Sequence, residues 1–276
     1  MFTPTLIKSD LSPGDILKST TRDWSDLVVH CLESTDNPRF ELAYDQLWAE
    51  FGQQHEMEQR ETLSSRFQWQ PQQRRRGYAL LYQMLLLSLK DEFVGVRDHT
   101  AIADENQVVV HLSHALVSPQ WRRTGIAGWL RALPLQTARE CLKRAGLPPL
   151  PITLVAEMEP LHLDHPGRLV RLLAYEKAGF QKIALPIAYA QPDFRPFAEI
   201  DATGPQPRPL SLIVRRVGRE HESTITSAEV QSLVRALYEM YATEFRSQDM
   251  AELFAQLDCY PPASTPVPLV APSQPE

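Results

Sequence analysis

Length, composition and charge set the first limits on this chain. A sequence of 276 residues is expected to form one large domain, or one domain with additions, and an apolar fraction of 43% is ordinary for a globular protein. The formal net charge of −6 argues against nonspecific binding to nucleic acid.

Cysteine usage and apolar runs bear on the compartment. Cys31, Cys141 and Cys259 lie far apart, which indicates reduced thiols rather than disulfides. The N-terminus has no basic segment followed by an apolar run, and the longest apolar run is too short to cross a bilayer. A cytoplasmic location without a membrane segment is therefore expected.

The first part of the chain predicts a strand followed by two helices. Residues 1–26 are rich in Ser, Thr and turn residues, which indicates loop or edge structure. A β-rich run at Leu27–Leu32 predicts the first strand. Apolar residues at helical spacing predict an amphipathic helix over 40–51, and a more polar helix over 56–67 follows.

Three further strands are predicted over 78–89, 93–102 and 108–117. The short polar turns between them predict an antiparallel meander. The basic run that precedes the first of them, Arg74 to Arg76, is compatible with a solvated turn or with a patch that attracts an acidic group.

The second half predicts a crossover followed by more strands. A helix from Gly125 to Gly146 and a strand over 152–156 predict a parallel partner for the strand at 108–117. A helix over 168–178, strands over 182–189 and 210–217, a loop over 192–209 and a C-terminal helix capped by Ser227 follow.

The stretch 115–127 combines a strand end, a basic turn and a helix start. Gly125 permits positive φ and close backbone approach, and the helix opens directly after it. The first turn of a helix has unpaired N–H groups and the positive end of the helix dipole, so this junction can hold a phosphate. Arg122 and Arg123 add charge and donors, and the small Ala127 leaves room for the phosphate.

This stretch resembles a known family signature. Arg122-Arg123-Thr124-Gly125-Ile126-Ala127 fits the Arg/Gln-x-x-Gly-x-Gly/Ala pattern of the GCN5-related N-acetyltransferases, the GNAT superfamily. Downstream, Tyr175 on a predicted short helix that ends in Gly179-Phe180 resembles the second marker of the family. The resemblance implies an α/β (α+β) fold with a mixed, mostly antiparallel central sheet flanked by helices, and here an extra C-terminal helix.

The resemblance also implies a division of the chain. The acetyltransferase-like domain is expected over 27–217, after an N-terminal extension over 1–26. A C-terminal helical extension over 218–259 is expected to pack on this domain. Residues 260–276 are rich in Pro and Ser, which predicts a disordered tail.

The implied activity is transfer of an acetyl group from acetyl-CoA, as co-substrate and without a metal, to a primary amine by direct attack. The acceptor would be a small molecule or a peptide, with no nucleic-acid or membrane partner, and a homodimer is compatible with the sequence. The alternative is a non-catalytic acyl-CoA-binding or regulatory module that kept the fold.

Site residues follow from the same resemblance. The coenzyme pyrophosphate would bind the turn formed by Arg122, Arg123, Thr124, Gly125, Ile126 and Ala127. Backbone groups around Leu116 and Val117, where two strands splay apart, would hold the pantetheine and polarise the thioester carbonyl. Tyr175 would be the general acid, because a phenol with a pKa of about 10 can donate a proton to the leaving sulfur. The family often has Asn seven residues before this Tyr, and Arg168 stands there instead.

The general base stays open at this stage. Glu157, Glu159, His111 and Ser113 are candidates, and the pair Asp98-His99 is a weaker one. Strand alternation predicts that His111 and Ser113 share one face of their strand while His114 faces the other way, so the two histidines would not bind one metal. The acceptor wall is expected within 40–67.

A second histidine group could also be considered for a metal. His162, Asp164 and His165 could cluster, but a loop between prolines is the better explanation. No His or Cys spacing in the sequence matches a zinc site.

Overall fold

A large sheet runs through the molecule and carries helices on both faces. The computed structural model describes residues 2–52, 55–160 and 166–275. Its strands are β1 (Leu27–Leu32), β2 (Ala79–Leu89), β3 (Glu92–Ala103), β4 (Val108–Val117), β5 (Ile152–Met158), β6 (Gln181–Ile183), β7 (Ala190–Gln191), β8 (Arg208–Pro209), β9 (Ser211–Arg216), β10 (Thr224–Thr226) and β11 (Pro266–Val270). Its α-helices are α1 (Pro13–Ser19), α2 (Pro38–Phe51), α3 (Arg60–Arg66), α4 (Ile126–Arg144), α5 (Pro166–Lys177), α6 (Phe197–Thr203), α7 (Ser227–Tyr241) and α8 (Ser247–Gln256).

The strand order in the large sheet is β1-β2-β3-β4-β5-β9-β6-β11-β10. Within the described ranges β4 and β5 are the parallel pair, and the other neighbours in this sheet run antiparallel. The parallel pair follows from the crossover through α4. The expected mixed, mostly antiparallel sheet flanked by helices is thereby confirmed.

Side chains of the central strands alternate between two apolar layers. In β2, Leu80 and Leu86 pack with α2, α3, α7 and α8, whereas Leu81 and Leu87 face the side that carries α4. Because both faces are covered, β2 is a nearly continuous apolar run rather than an alternating one. We call these two sides the α7 side and the α4 side of the sheet.

The N-terminal segment differs from its prediction as loop or edge structure. It forms α1, which packs against the first turns of α4. Asp15 accepts two hydrogen bonds from Arg131, at 2.6 and 3.0 Å, and the Ser19 hydroxyl donates to the Gly125 carbonyl at 2.8 Å. Polar residues such as Asp15 and Ser19 therefore serve as partners of α4, a role that local composition does not reveal.

The C-terminal segment also differs from its prediction. The disorder expected over 260–276 is wrong for Pro266–Val270, which forms β11 between β6 and β10. Leu269 pairs with Ile183, and Val267 and Leu269 are buried. The edge of a sheet supplies backbone partners and an apolar floor, so a proline-rich segment can be ordered there.

Smaller differences concern element ends. The predicted strand over 182–189 is limited to β6, the helix over 56–67 to α3, and the predicted loop over 192–209 contains α6. The side chain that caps α7 belongs to Thr226, one residue before Ser227, and accepts from the Glu229 amide. In the described residues, no helix is long and apolar enough to cross a membrane.

Gly125 is constrained by α1 as well as by its own backbone. Its φ is 97°, and a Cβ there would lie 2.3 Å from the Lys18 carbonyl oxygen. The sequence predicts that another group lies close to the Gly125 backbone. In the structure this group is the backbone of α1, at Lys18 and Ser19.

Replacing Gly125 with alanine is therefore expected to lower the free energy of unfolding by about 2–4 kcal/mol, from backbone strain plus the clash with α1. Chemical denaturation measures the loss. Gly77→Ala is the matched control, because Gly77 also has positive φ, 91°, but nothing lies within 4 Å of an added Cβ. Equal losses in the two variants would contradict the packing role of α1.

Candidate active site

The site is organised by a gap in the sheet between β4 and β5. The two strands pair from Val108 opposite Ile152 to His111 opposite Val155. β4 then continues to Val117 and β5 to Met158 without further pairing between them in the described chain. The splayed pair implied by the family resemblance is therefore present.

A bulge in β4 sits at the mouth of this gap. Asp98 of β3 pairs with His114, and Thr100 pairs with His111, so two residues of β4, Leu112 and Ser113, lie opposite one residue of β3. The extra residue shifts the alternation of side chains. As a result, His111 and His114 both lie on the α7 side, where they contact Tyr241 and Phe51 respectively. The prediction that the two histidines face opposite sides is wrong for this reason.

Backbone groups of β4 beyond the bulge alternate between β3 and the gap. The Ser118 amide donates to the Val94 carbonyl of β3 at 3.0 Å, so by alternation Leu116 also faces β3, whereas Ala115 and Val117 face the gap. Of the two residues expected to hold the pantetheine, Val117 presents its backbone to the gap. Leu116 contributes its side chain to the wall of the cavity described below.

The turn before α4 carries unpaired amides. Arg123 and Gly125 both have positive φ, 65° and 97°. Among the described residues, the amides of Arg123, Thr124, Gly125, Ile126 and Ala127 have no hydrogen-bond acceptor. Arg122 and Arg123 are exposed, and Ala127 is half-buried. α1 covers one flank of this turn, where Gly125 and Ile126 are buried, but the amides still lack an acceptor in the described chain, as an anion site requires.

A cavity of about 570 Å³ joins the gap to both sides of the sheet. On the α4 side it is lined by Arg97, Ala115, Val117, Arg122, Ala127, Leu130, Arg131, Gly167, Val170, Arg171, Ala174 and Tyr175. On the α7 side and at the bulge it is lined by Glu50, Phe51, Glu56, Glu58, His111, Ser113, His114, Glu157, Glu159, Gln191, Phe194, Arg208 and Tyr241. Two residues of the predicted turn, Arg122 and Ala127, therefore share one cavity with the predicted tyrosine and most candidate bases.

Tyr175 lies in the wall of this cavity with its ring held on two sides. Phe180 packs edge-on at 4.9 Å between ring centroids, and the Arg131 guanidinium lies 5.7 Å from the ring centre. Arg97 Nη2 donates to the phenol oxygen at 3.2 Å. The phenol is thus fixed in place, with one of its acceptor positions filled by a cation.

On the α7 side, Glu157 is surrounded by donors. His111 Nε2 lies 3.0 Å from its carboxylate, Gln191 Nε2 2.7 Å and the Tyr241 hydroxyl 3.0 Å, and the Tyr189 hydroxyl also donates. Burial on its own raises the pKa of Glu157, but His111, Tyr189 and Tyr241 outweigh it and hold that pKa below the ordinary value. A carboxylate that accepts four hydrogen bonds is better suited to orient His111 than to take a proton itself.

His111 consequently has defined roles for its two nitrogens. Because an ionised Glu157 only accepts, a His111 ring with one proton carries it on Nε2, and Nδ1 is then left as the acceptor. Nδ1 lies 3.2 Å from the Ser113 hydroxyl, which reaches the cavity. Ser113, His111 and Glu157 therefore form a continuous hydrogen-bonded chain that ends at the cavity.

Asp98 and His114 form a separate buried ion pair. His114 donates to Asp98 through Nδ1 at 3.0 Å and through its amide at 2.9 Å, and Tyr82 also donates to this carboxylate. Burial on its own would lower the pKa of His114, but Asp98 raises it to about 9. Burial would raise the pKa of Asp98, yet His114 lowers it to about 2.

The remaining candidates are occupied elsewhere. Glu159 pairs with Arg168 at 2.6 Å and with Arg208 at 2.5 Å, so Arg168 does not take the role of the family's Asn. His99 is buried on the α4 side and bonds to Thr137 at 2.7 Å. Arg74 and Arg76, outside the cavity, pair with Glu105 and Glu239.

Metal binding finds no support in the described ranges. They contain no group of three or more His, Cys, Asp or Glu side chains able to hold a metal ion. His162, Asp164 and His165 lie outside the described residues.

Several cavity residues were missed from the sequence. Arg97 is part of a run of four polar residues, 97–100, inside a strand that is buried on both faces, and this was an available signal. Gln191 and Tyr241 come from distant segments and carry no local signature, because only the packing of α7 brings Tyr241 to Glu157.

Comparison with solved structures gives distant likenesses. An acetyltransferase from Streptococcus agalactiae aligns at 11% identity and a TM-score of 0.39, over 70% of this chain and 99% of that one. A second structure is that of N-acetylglutamate synthase from Neisseria gonorrhoeae, complexed with coenzyme A and N-acetyl-glutamate. It aligns at 15% identity and a TM-score of 0.40, over 70% of this chain and 36% of that one. A Salmonella typhimurium acetyltransferase that modifies the N-terminal serine of ribosomal protein L7/L12 aligns at 14% identity and a TM-score of 0.38. The alignment covers 70% of this chain and 95% of that one. No protein-family model and no curated relative matches the chain.

With identities of 11–15% and TM-scores of 0.38–0.40, these likenesses do not identify a family for this chain. What can be compared with the expected fold is the chain's own structure. The strand order, the gap after the parallel pair β4–β5 and the left-handed glycine turn before α4 are all present. The fold is therefore GNAT-like, as the resemblance in the sequence implies.

The Asp98–His114 pair predicts a pH-dependent stability. The pKa of His114 is raised from 6.5 to about 9 on folding, so its contribution is complete below about pH 6.5 and is lost as the pH rises through 9. We expect the free energy of unfolding to fall by roughly 2–3 kcal/mol over that window. Urea unfolding at a series of pH values measures it. The double variant Asp98→Asn/His114→Gln removes the ion pair, and an unchanged slope in that variant would contradict the assignment.

Proposed function

We propose that the protein transfers an acetyl group from acetyl-CoA to a primary amine by direct attack. The observation that carries this proposal is the continuity of one cavity from Arg122 and Ala127, at the two ends of the turn before α4, to Tyr175 and on to His111. A phosphate-binding end, a proton donor and a proton acceptor are the parts that this reaction needs.

The residues fit the co-substrate at its anionic end. The amides of Arg123 to Ala127 have no acceptor in the described chain, the exposed Arg122 and Arg123 add charge, and Ala127 is small at the first turn of α4. The gap-facing backbone of Ala115 and Val117 can pair with the amide groups of a pantetheine arm. Bound acetyl-CoA supplies an activated acyl group as a thioester.

Protein groups then handle the protons. The Ser113 hydroxyl, bonded to His111 Nδ1, takes a proton from the attacking amine and passes its own to the ring. Glu157 holds the ring and balances the charge that forms on it. Tyr175 donates its phenolic proton to the departing sulfur.

The α7 side of the cavity suits an amine. Glu50, Glu56 and Glu58 contribute carboxylates, of which Glu56 is paired with Arg208 and Glu58 with Arg66, and Phe51 and Phe194 contribute aromatic walls. Carboxylates stabilise a cation before it loses its proton, and aromatic faces accept its alkyl part. Two of these residues, Glu50 and Phe51, come from α2 and two come from the segment after it, within the predicted acceptor wall.

A charge placed in the first turn of α4 tests the coenzyme end. Ala127→Asp puts a carboxylate beside the expected pyrophosphate, and we expect CoA affinity to fall about tenfold or more through charge repulsion. An acidic residue at a helix N-terminus stabilises the helix, so the variant should fold. Calorimetric titration with CoA measures the loss. Ala127→Asn is the uncharged control of the same shape, and equal losses in both would contradict a phosphate site.

Tyr175→Phe and His111→Gln test turnover. Each is expected to lower the rate of acetyl transfer about a hundredfold or more while CoA affinity is kept, because each loses one proton transfer. The measurement is CoA release across a panel of primary amines, with Tyr78→Phe as a control at a half-buried phenol outside the cavity.

Two results would revise the proposal. If wild type and Tyr175→Phe bind acetyl-CoA equally and neither transfers acetyl to any amine of the panel, the non-catalytic binding module is the better description. Acetylation of Ser113 by acetyl-CoA alone, detected by mass spectrometry, would replace direct attack by transfer in two steps.

A further inference from the structure

Arg97 carries a buried charge that the protein leaves unbalanced. It is 1% exposed, and in the described ranges no carboxylate lies within ion-pair distance of it. Nη2 is bonded to Tyr175, but Nε and Nη1 have no hydrogen-bond partner within the described chain. A buried cation without a partner destabilises a fold, so its presence in a cavity wall points to an anionic ligand.

The neighbouring charges do not compensate Arg97. Asp98 points to the α7 side, where it is paired with His114. Arg131, which lies over the Tyr175 ring, is itself positive and is already paired with Asp15. Burial and then Arg97 lower the pKa of His99 to about 3, so this ring is neutral and contributes no negative charge.

The position of Arg97 identifies which part of a ligand it would meet. It pairs in register with Ala115, whose backbone faces the gap, and it lines the cavity beside Tyr175 and Ala174 of α5. This is the coenzyme half of the cavity, on the opposite side of the sheet from His111 and Glu157. The anion there must therefore belong to the acyl donor or to its leaving group rather than to the amine.

The hydrogen bond to Tyr175 gives a direction to the phenol. Because Arg97 Nη2 donates to the phenol oxygen, the phenol's own hydrogen has to point away from the guanidinium. Both side chains line the cavity, so the hydrogen is free to point into it. Arg97 thus orients the Tyr175 hydroxyl, and its positive charge would stabilise the phenolate that forms when the proton leaves.

Resting on the acyl transfer proposed above, we propose that Arg97 is the anion-binding residue for the coenzyme sulfur. As the carbon–sulfur bond breaks, the sulfur keeps the electron pair, and Tyr175 passes its proton to that sulfur. Arg97 stabilises the negative charge first on the sulfur and then on the phenol oxygen, which regains a proton from water when the product leaves. In the absence of transfer, Arg97 binds the thiolate form of free CoA.

Binding of CoA and of desulfo-CoA, which lacks the sulfur, tests this role without any turnover. Calorimetry is run between about pH 6.5 and 8.5, where thiols begin to ionise. We expect wild type to prefer CoA, with a preference that grows with pH. Arg97→Met should lose about tenfold in CoA affinity, the effect of one hydrogen bond to a charged group, while its affinity for desulfo-CoA is unchanged.

Control variants separate the charge from the scaffold. Arg97→Lys keeps a cation and should retain part of the preference for CoA, whereas Arg171→Met, an exposed arginine of the same cavity wall, should retain all of it. The ultraviolet absorbance of the thiolate gives a second measurement. The thiol of CoA bound to wild type should ionise at a lower pH than that of free CoA, and Arg97→Met should reverse the shift.

The outcomes distinguish this inference from the proposed function. If both ligands bind and Arg97→Met weakens them equally, or weakens neither, the sulfur role of Arg97 is overturned while the coenzyme site stands. If Arg97→Met weakens only the binding of a dicarboxylic acyl-CoA such as succinyl-CoA, the anion is an acyl carboxylate and the sulfur role is again wrong. If neither CoA nor desulfo-CoA binds wild type, the coenzyme site and this inference fail together.

Discussion

The structure depends on the loss of pairing between β4 and β5 beyond His111 and Val155. A sheet normally satisfies its backbone groups within itself, and open groups inside a protein are costly unless something else binds them. Here the bulge that begins the gap, the unpaired edge of β4 and the amides without acceptors before α4 follow one another along the chain. One interruption of the ladder therefore creates the cavity, supplies its backbone donors and connects the two sides of the sheet.

Buried charges around this gap are handled in different ways. Asp98 and His114 neutralise each other, and Glu157 is satisfied by four donors, so both groups are stable without a ligand. Arg97 has neither kind of compensation. The contrast suggests that the α7 side is preorganised by internal hydrogen bonds, whereas the α4 side is completed only when a ligand brings a negative charge.

The sequence allowed prediction of the parts whose signals are local. Periodicity located β1 and β4, the crossover through α4 predicted the parallel pair, and the glycine turn was found from its residues alone. The bulge at Leu112 and Ser113 has no such signature, so the predicted orientation of the His114 side chain was wrong. The roles of α1 and β11 depend on distant partners, Gly125 and Ile183, and for that reason their composition suggested loops.

The strand β11 also constrains the order in which the molecule can be completed. Leu269 of β11 pairs with Ile183 of β6, and Val267 of β11 pairs with Ile225 of β10. The strands β6 and β10 therefore cannot be joined in the sheet until β11, which follows both in the chain, lies between them. During synthesis, the far edge of the sheet therefore stays open until β11 itself has left the ribosome. Contacts of such large sequence separation form slowly because of the loop that must close. The gap and the α4 turn lie earlier in the chain, so the α4 side of the cavity can assemble before this edge is sealed.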